Sequence, residues 1–294
     1  MPAFTPMLRL VRFLPLLLVV AFVAWCSQSN RQHADAGPLR VELAELFQQQ
    51  GLLSGPVSRD GGLAEAAKRA GPAGMNQLLY EASAGASVEA LRWIVAHGAD
   101  PANVASPGGV PLLHKAAQRP GQARLAYFVG LGLDARQRDG SGNTVLHVTA
   151  RAGLDEPVLQ LLLAKGLKLN DANAAGQLPL HVASLKSLDL LVRAGAEVDA
   201  VDALGRTALH SAAAERRADL VAELVRLGAS VFKADAQGRT PLHLAALARA
   251  EPVVDVLLAA GAPRSARDAD GLTARDLALA RLPSDRRRGL ADKL

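Results

Sequence analysis

The stretch Thr240-Pro241-Leu242-His243-Leu244-Ala245-Ala246 decides the fold, together with Asp235-Ala236-Gln237-Gly238 before it and Val253-Val254-Asp255-Val256-Leu257-Leu258 after it. Asp235 to Gly238 reads as a tight turn, since an Asp side chain bonds nearby backbone and Gly accepts positive φ. Thr240 suits an N-cap, and Pro241 suits the first helical position, where a missing N–H costs nothing. Ala245 and Ala246 keep that first helix thin. Val253, Val254, Leu257 and Leu258 fall at helical spacing and predict a second helix, which Gly261 ends. Such a pair cannot bury its own apolar face; it needs a neighbour of the same kind.

The neighbours are in the chain. Thr207-Ala208-Leu209-His210, Leu178-Pro179-Leu180-His181, Thr144-Val145-Leu146-His147 and Leu113-His114-Lys115-Ala116-Ala117 repeat the signature. His114, His147, His181, His210 and His243 are separated by 33, 34, 29 and 33 residues, and 33 more lead to Asp276 in a diverged last copy. Two further ladders keep phase. Asp139, Asn173, Asp202, Asp235 and Asp268 each stand three residues before a glycine, and Gly132, Gly166, Gly195, Gly228 and Gly261 each come after an apolar run. The copy at 178–195 is about four residues short between Ala183 and Leu190, which predicts a truncated first helix or inter-helix turn. A weak copy near Asn76 has Leu79 in place of the histidine.

These residues resemble the ankyrin repeat, in unit length and in the Thr-Pro-Leu-His-x-Ala signature. The resemblance covers about 76–282 and implies an all-α repeat fold: an ankyrin-type solenoid of helix-turn-helix units, about six, with projecting β-turn or hairpin fingers and a C-terminal cap. It implies structural roles for His114, His147, His181, His210 and His243, which brace neighbouring repeats. Asp139, Asp202 and Asp235 are expected to shape the fingertip turns, and Gly228 and Gly261 to cap second helices. It also implies a protein partner, held on the concave side. The position after each histidine (Lys115, Val148, Val182, Ser211, Leu244) varies between copies, as does the position four after it (Gln118, Arg151, Leu247 among them). With the fingertip residues Arg138, Ala174, Leu204 and Gln237, these are the expected partner-binding residues. Their mixed basic, polar and apolar character argues against a phosphate backbone.

Upstream, Arg9 and Arg12 precede a charge-free run from Phe13 to Cys26. Its length suits a signal-peptide core, and basic residues before it predict that the rest of the chain is translocated. Residues 1–26 are expected to be a signal peptide or membrane anchor, the chain's only membrane contact. Val23-Ala24-Trp25-Cys26 resembles a bacterial lipoprotein box, but Trp25 stands where that pattern has a small residue. Retention with Trp25 at the membrane surface, and cleavage after Cys26 or after Ala34-Asp35-Ala36, are the alternatives. Residues 27–75 read as linker and N-terminal helical cap, with a helix over 39–50, and 283–294 as a polar tail. The expected location is the periplasm or the periplasmic face of the inner membrane.

Composition narrows the function. The chain is half hydrophobic but only 3% aromatic, with 33 basic residues interspersed among 28 acidic ones. Few aromatics are present to stack on bases, and no nucleic-acid partner is expected. Cys26 is the only cysteine, so paired-thiolate metal sites and internal disulfides are excluded. No calcium-loop spacing, phosphate-loop lysine motif, His-Glu-x-x-His or nucleophile elbow occurs. Gly130-Leu131-Gly132-Leu133-Asp134-Ala135 loosely matches a dinucleotide fingerprint, but it ends a helix where that motif needs a strand before it. The expectation is a non-catalytic adaptor at the bacterial cell envelope, with no metal or cofactor. The alternatives are an immunity protein neutralising a secreted toxin in the periplasm and an enzyme with no recognisable site.

Overall fold

The computed structural model describes residues 37–51, 62–104, 107–119, 122–280 and 293–294 of the 294-residue chain. The segment at 1–26, with its processing alternatives, and most of the tail at 283–294 lie outside the described residues. The chain divides into two compact units, one up to Ala105 and one from Ser106.

In the first unit, α1 (Gly37–Gln49), α2 (Gly62–Ala82) and α3 (Val88–Ala96) pack together. Helix α2 runs through the boundary drawn at 75/76 and bends at Gly71-Pro72, where Gly71 takes φ 61°. Phe47 and Met75 are fully buried, as are Leu78, Leu79, Leu91 and Ile94. Ser87 caps α3 by accepting from the Ala90 N–H at 3.1 Å, while its own N–H and hydroxyl donate to the two Glu42 carboxylate oxygens at 2.6 Å each. Helix α1 is thereby fixed to the start of α3. The Phe47 and Trp93 rings meet edge-on at 5.9 Å.

The second unit repeats one motif. Its first helices are α4 (Leu112–Ala117), α6 (Val145–Ala152), α9 (Ala208–Ala214), α11 (Pro241–Ala248) and α13 (Ala274–Ala280). Its second helices are α5 (Gln122–Gly130), α7 (Glu156–Ala164), α8 (Leu185–Arg193), α10 (Ala218–Arg226) and α12 (Glu251–Ala259). First helix packs on first helix and second on second along most of the unit. Val145, Leu146, Leu209, Leu242, Val253, Val254 and Leu257 vanish into the shared core, each large apolar side chain contributing about 1.5–3 kcal/mol on burial. Gly228 ends α10 with φ 94°, while the Ala229 N–H reaches back to the Leu224 carbonyl at 2.9 Å. This is the left-handed cap that glycine tolerates best.

Where the sequence runs four residues short, Pro179–Val182 forms one 3-10 turn in place of a first helix. Four residues are about one α-helical turn, roughly 6 Å of rise. Helix α8 packs against α6 of the preceding repeat as well as α10 of the next one.

One expectation is overturned. Among the described residues there is no β-strand, so the projecting β-turn or hairpin fingers are absent. The reason is local. The Asp202 N–H donates to the Arg206 carbonyl at 2.8 Å and the Gly205 N–H to the Asp202 carbonyl at 3.0 Å, closing the loop within five residues. Thr207 then caps α9 immediately. No stretch of chain is left to extend into a paired ladder. The fold is an all-α solenoid joined by compact loops.

Candidate functional site: the first-helix face

The face is built on a rail of histidines. Each ring Nε2 donates to a carbonyl in the next repeat: His114 to Asn143 at 2.8 Å, His147 to Gln177 at 2.9 Å, His181 to Arg206 at 2.8 Å, His210 to Arg239 at 3.0 Å and His243 to Leu272 at 3.2 Å. The same five carbonyls accept the N–H of Asp139, Asn173, Asp202, Asp235 and Asp268, which closes each loop. The other ring nitrogen faces its own repeat. Nδ1 of His210 accepts the Thr207 N–H at 3.1 Å and the Thr207 hydroxyl at 2.9 Å, and His147 and His243 make the same pair with Thr144 and Thr240. His181 has only the Leu178 N–H, at 3.2 Å. Pro111 stands before His114 with neither N–H nor hydroxyl, and Nδ1 of His114 is buried with no partner. Burial lowers the pKa of His114, His147, His181 and His210, outweighing the backbone bonds that raise it. These rings are neutral braces.

The loop acids are equally occupied. Oδ1 of Asp202 accepts the N–H groups of Leu204 and Arg206 at 2.8 and 2.9 Å, and its Oδ2 receives the Arg206 guanidinium at 2.8 Å. Burial pushes this carboxyl up, but the Arg206 side chain and the two N–H donors outweigh it and leave it below the usual range. Asp139 is lowered in the same way, with burial opposed by Asn143 and Ser141. Asp235 repeats the geometry with Gln237 and Arg239. Consecutive loops are stitched by Ala174 to Ser141, Ala236 to Leu204 and Ala269 to Gln237 backbone bonds of 2.9–3.0 Å. Gly176 lies so close to the next loop that a Cβ there would stand 2.8 Å from the Ala203 Cβ.

Over this frame lie the positions expected to bind. Gln118, Arg151, Ala174, Leu204 and Gln237 are exposed, and Lys115, Val148, Val182, Ser211 and Leu247 are partly so. Leu244 is only 8% exposed and belongs to the core. Arg138 is exposed, but its Nη1 donates to the Gly142 carbonyl at 2.7 Å and to Ala172 of the next loop at 2.6 Å, so it clamps two loops. Arg151 has no hydrogen-bond or ion-pair partner among the described residues. It borders two cavities. One, of about 220 Å³, is also lined by Gln118, Val148 and His147. The other, of about 370 Å³, lies at the shortened repeat, between Leu180, Val182 and Leu188 on one side and Ala212, Leu220 and Leu224 on the other. Glu215 and Arg217 border it too; sequence reasoning missed them, although the four-residue shortfall was a signal that something opens there.

Among the described residues no group of three or more His, Cys, Asp or Glu side chains could hold a metal ion, and no helix is long and apolar enough to cross a membrane.

A family model described as ankyrin repeats in three copies matches residues 113–190 and 184–268. Among curated proteins, the phosphocholine transferase AnkX of Legionella pneumophila is 39% identical over 103 residues, which are 33% of this chain and 11% of the transferase. Neurogenic locus notch homolog protein 1 of Xenopus laevis is 28% identical over 215 residues, 67% of this chain and 8% of that protein; the rat homologue is 29% identical over 214 residues. The chain spans about a tenth of the length of these relatives.

Proposed function

The chain belongs to the ankyrin-repeat family, and on that premise we propose that it is a non-catalytic binding stack that holds another protein on its first-helix face at the bacterial cell envelope. One observation carries this reading. Lys115, Gln118, Val148, Arg151, Val182 and Ser211 mix basic, polar and apolar types along the face and reach solvent, while the layer beneath them is fixed by main-chain hydrogen bonds. A constant frame under changing side chains suits recognition of one protein surface. The histidines and loop acids, the obvious candidates for acid–base chemistry, are committed to backbone partners. AnkX supplies no activity to carry over, because the match covers only 11% of it.

The test is capture from envelope extract by the tagged full chain, with cross-linking and mass spectrometry. Lys115→Glu, Arg151→Glu and Ser211→Glu together should abolish capture of the wild-type partner. Gln160→Glu, Arg193→Glu and Arg226→Glu, on the second helices, change the charge equally and should leave it. Equal loss from two folded triple variants overturns the reading. Export through residues 1–26 is part of the proposal, supported by the Arg9 and Arg12 flank of the charge-free run. A C-terminal reporter active only outside the cytoplasm is expected; activity only of a cytoplasmic reporter refutes it.

A further inference from the structure

Charge is spread unevenly along the stack. From Pro101 to Leu133 the chain has no acidic residue, so the helix pair α4 and α5 carries Lys115, Arg119 and Arg124 and no carboxylate. Every later pair has at least one, as Glu156 on α7, Asp189 on α8, Glu223 on α10 and Asp255 on α12. Between 112 and 152 stand six basic residues and two acidic ones; between 153 and 280 there are 14 and 16. The basic surplus is therefore local. Its two carboxylates are engaged nearby: Asp134 meets Arg136 at 3.6 Å, and Asp139 accepts the Ser141 and Asn143 N–H groups and the Asn143 side-chain amide, each at 2.9 Å.

Much of this surplus faces the binding side. Lys115 is partly exposed on α4, and Gln118 and Arg119 are exposed at its end. On α6, which packs against α4, Arg151 is exposed and Val148 partly so. Gln118, Val148 and Arg151 border the cavity of about 220 Å³ together, which is below the range of small-molecule sites and nearer the size of one side chain. The basic stretch ends there. Val182 and Ser211 follow on the face, and Glu215 borders the next cavity along. A polyphosphate backbone calls for a stripe that continues, and single-stranded bases call for aromatic platforms. The aromatic residues between 112 and 152 are Tyr127 and Phe128, both on α5. A short cationic patch with an amide and a valine among the charges suits carboxylates on a polypeptide.

We propose that the α4–α6 end of the binding face docks an acidic segment of the partner protein. Lys115 and Arg119 receive carboxylates on one helix and Arg151 on the next, a guanidinium taking a carboxylate in two-point contact. Packed helices lie about 8–10 Å apart, a distance that an extended chain covers in about three residues. Acidic residues spaced i and i+3 therefore reach both helices. The proposal rests on the protein-binding reading above and names the chemistry of its partner.

The full chain, immobilised, is panned with a displayed random peptide library. Enriched peptides should carry Asp or Glu at i and i+3, and their affinity should fall as salt is raised, because exposed charges are screened. Lys115→Glu with Arg151→Glu should weaken an enriched peptide by at least about tenfold and favour the same peptide with lysine in place of its acids, a gain that a misfolded variant does not show. Lys165→Glu with Lys233→Glu makes the same change in net charge at exposed positions off this patch and should leave binding unchanged. Peptides lost on Ser211→Glu but indifferent to the Lys115 and Arg151 changes overturn the acidic dock while leaving the binding face intact. Enrichment without the acidic spacing, no enrichment over a blank surface, or tighter binding of polyphosphate or single-stranded RNA through the same two residues also overturns it.

Discussion

Replacing Pro111 with threonine should stabilise the second unit, and the repeats themselves supply the comparison. In the 207–210 copy, Nδ1 of the histidine takes two donors from the threonine three residues earlier; in the 178–181 copy it takes one; in the 111–114 copy it takes none and is buried. A buried acceptor left without a donor costs about 1–3 kcal/mol. Removing proline gives back about 0.4–1 kcal/mol through the freer unfolded chain. Pro111 sits at φ −61° and ψ 152°, close to Thr207 at −84° and 170°, so threonine enters without strain. The net expectation for Pro111→Thr is about 1 kcal/mol of added stability, and Pro111→Leu, which restores the N–H alone, should recover less. Urea unfolding monitored by far-UV circular dichroism measures both. Hydrogen exchange should show protection rising first in α4 and α6, because a repeat shares its stability with its neighbours. If threonine were no better than leucine, or lowered stability, the hydroxyl and N–H would not be serving Nδ1 and the reading of the capping geometry would be wrong.

Three further outcomes rest on the same geometry. His114, His147, His181 and His210 have pKa values held below 6.5 by burial, so in that window the unfolded chain binds protons that the folded chain refuses. Stability is then complete above about pH 6.5 and falls as pH drops, by up to about 1.4 kcal/mol per pH unit for each ring; a melting temperature constant from neutral pH to pH 5 refutes this. Gly176→Ala should cost more than Gly228→Ala in chemical denaturation. Both sit at positive φ, but an added methyl meets the Ala203 loop at the first and open space at the second. Gly228→Val tests the cap alone, with an expected loss of about 1–3 kcal/mol and several repeats loosening together; an unchanged unfolding curve shows that the cap carries no strain.

What was legible in the sequence is what short-range chemistry dictates. Thr207 and Pro241 mark helix starts, and Gly228 and Gly261 mark helix ends, because capping and positive φ are decided within a few residues. The truncation at 178–195 was countable from the histidine spacing. Contacts between repeats were not legible. Arg138 reaches the Ala172 carbonyl 34 residues away, and nothing in its neighbourhood announces that. Leu244 occupies the register of Lys115, Val148 and Ser211, yet it is buried while they are half-exposed, since coverage depends on the adjoining units. The fingers were inferred from a resemblance; whether a loop extends into paired strands depends on how soon the next cap begins, and Thr207 comes directly after Arg206.

The histidine rail has an evolutionary consequence. Each Nε2 addresses a main-chain carbonyl, so this bond between two repeats recognises no side chain on its far side. Excising residues 202–234 would join Val201 to Asp235 and offer His181 the carbonyl of Arg239 where it had that of Arg206, in the same loop geometry. As far as the histidine bonds go, whole periods are therefore interchangeable parts, and a genome can lengthen or shorten the stack by unequal recombination without rewriting the rail. Loss of a single helical turn, as at 179–184, leaves the joints on both sides in place. Novelty in such a chain enters as added, removed or shortened units, and the exposed side chains diversify afterwards.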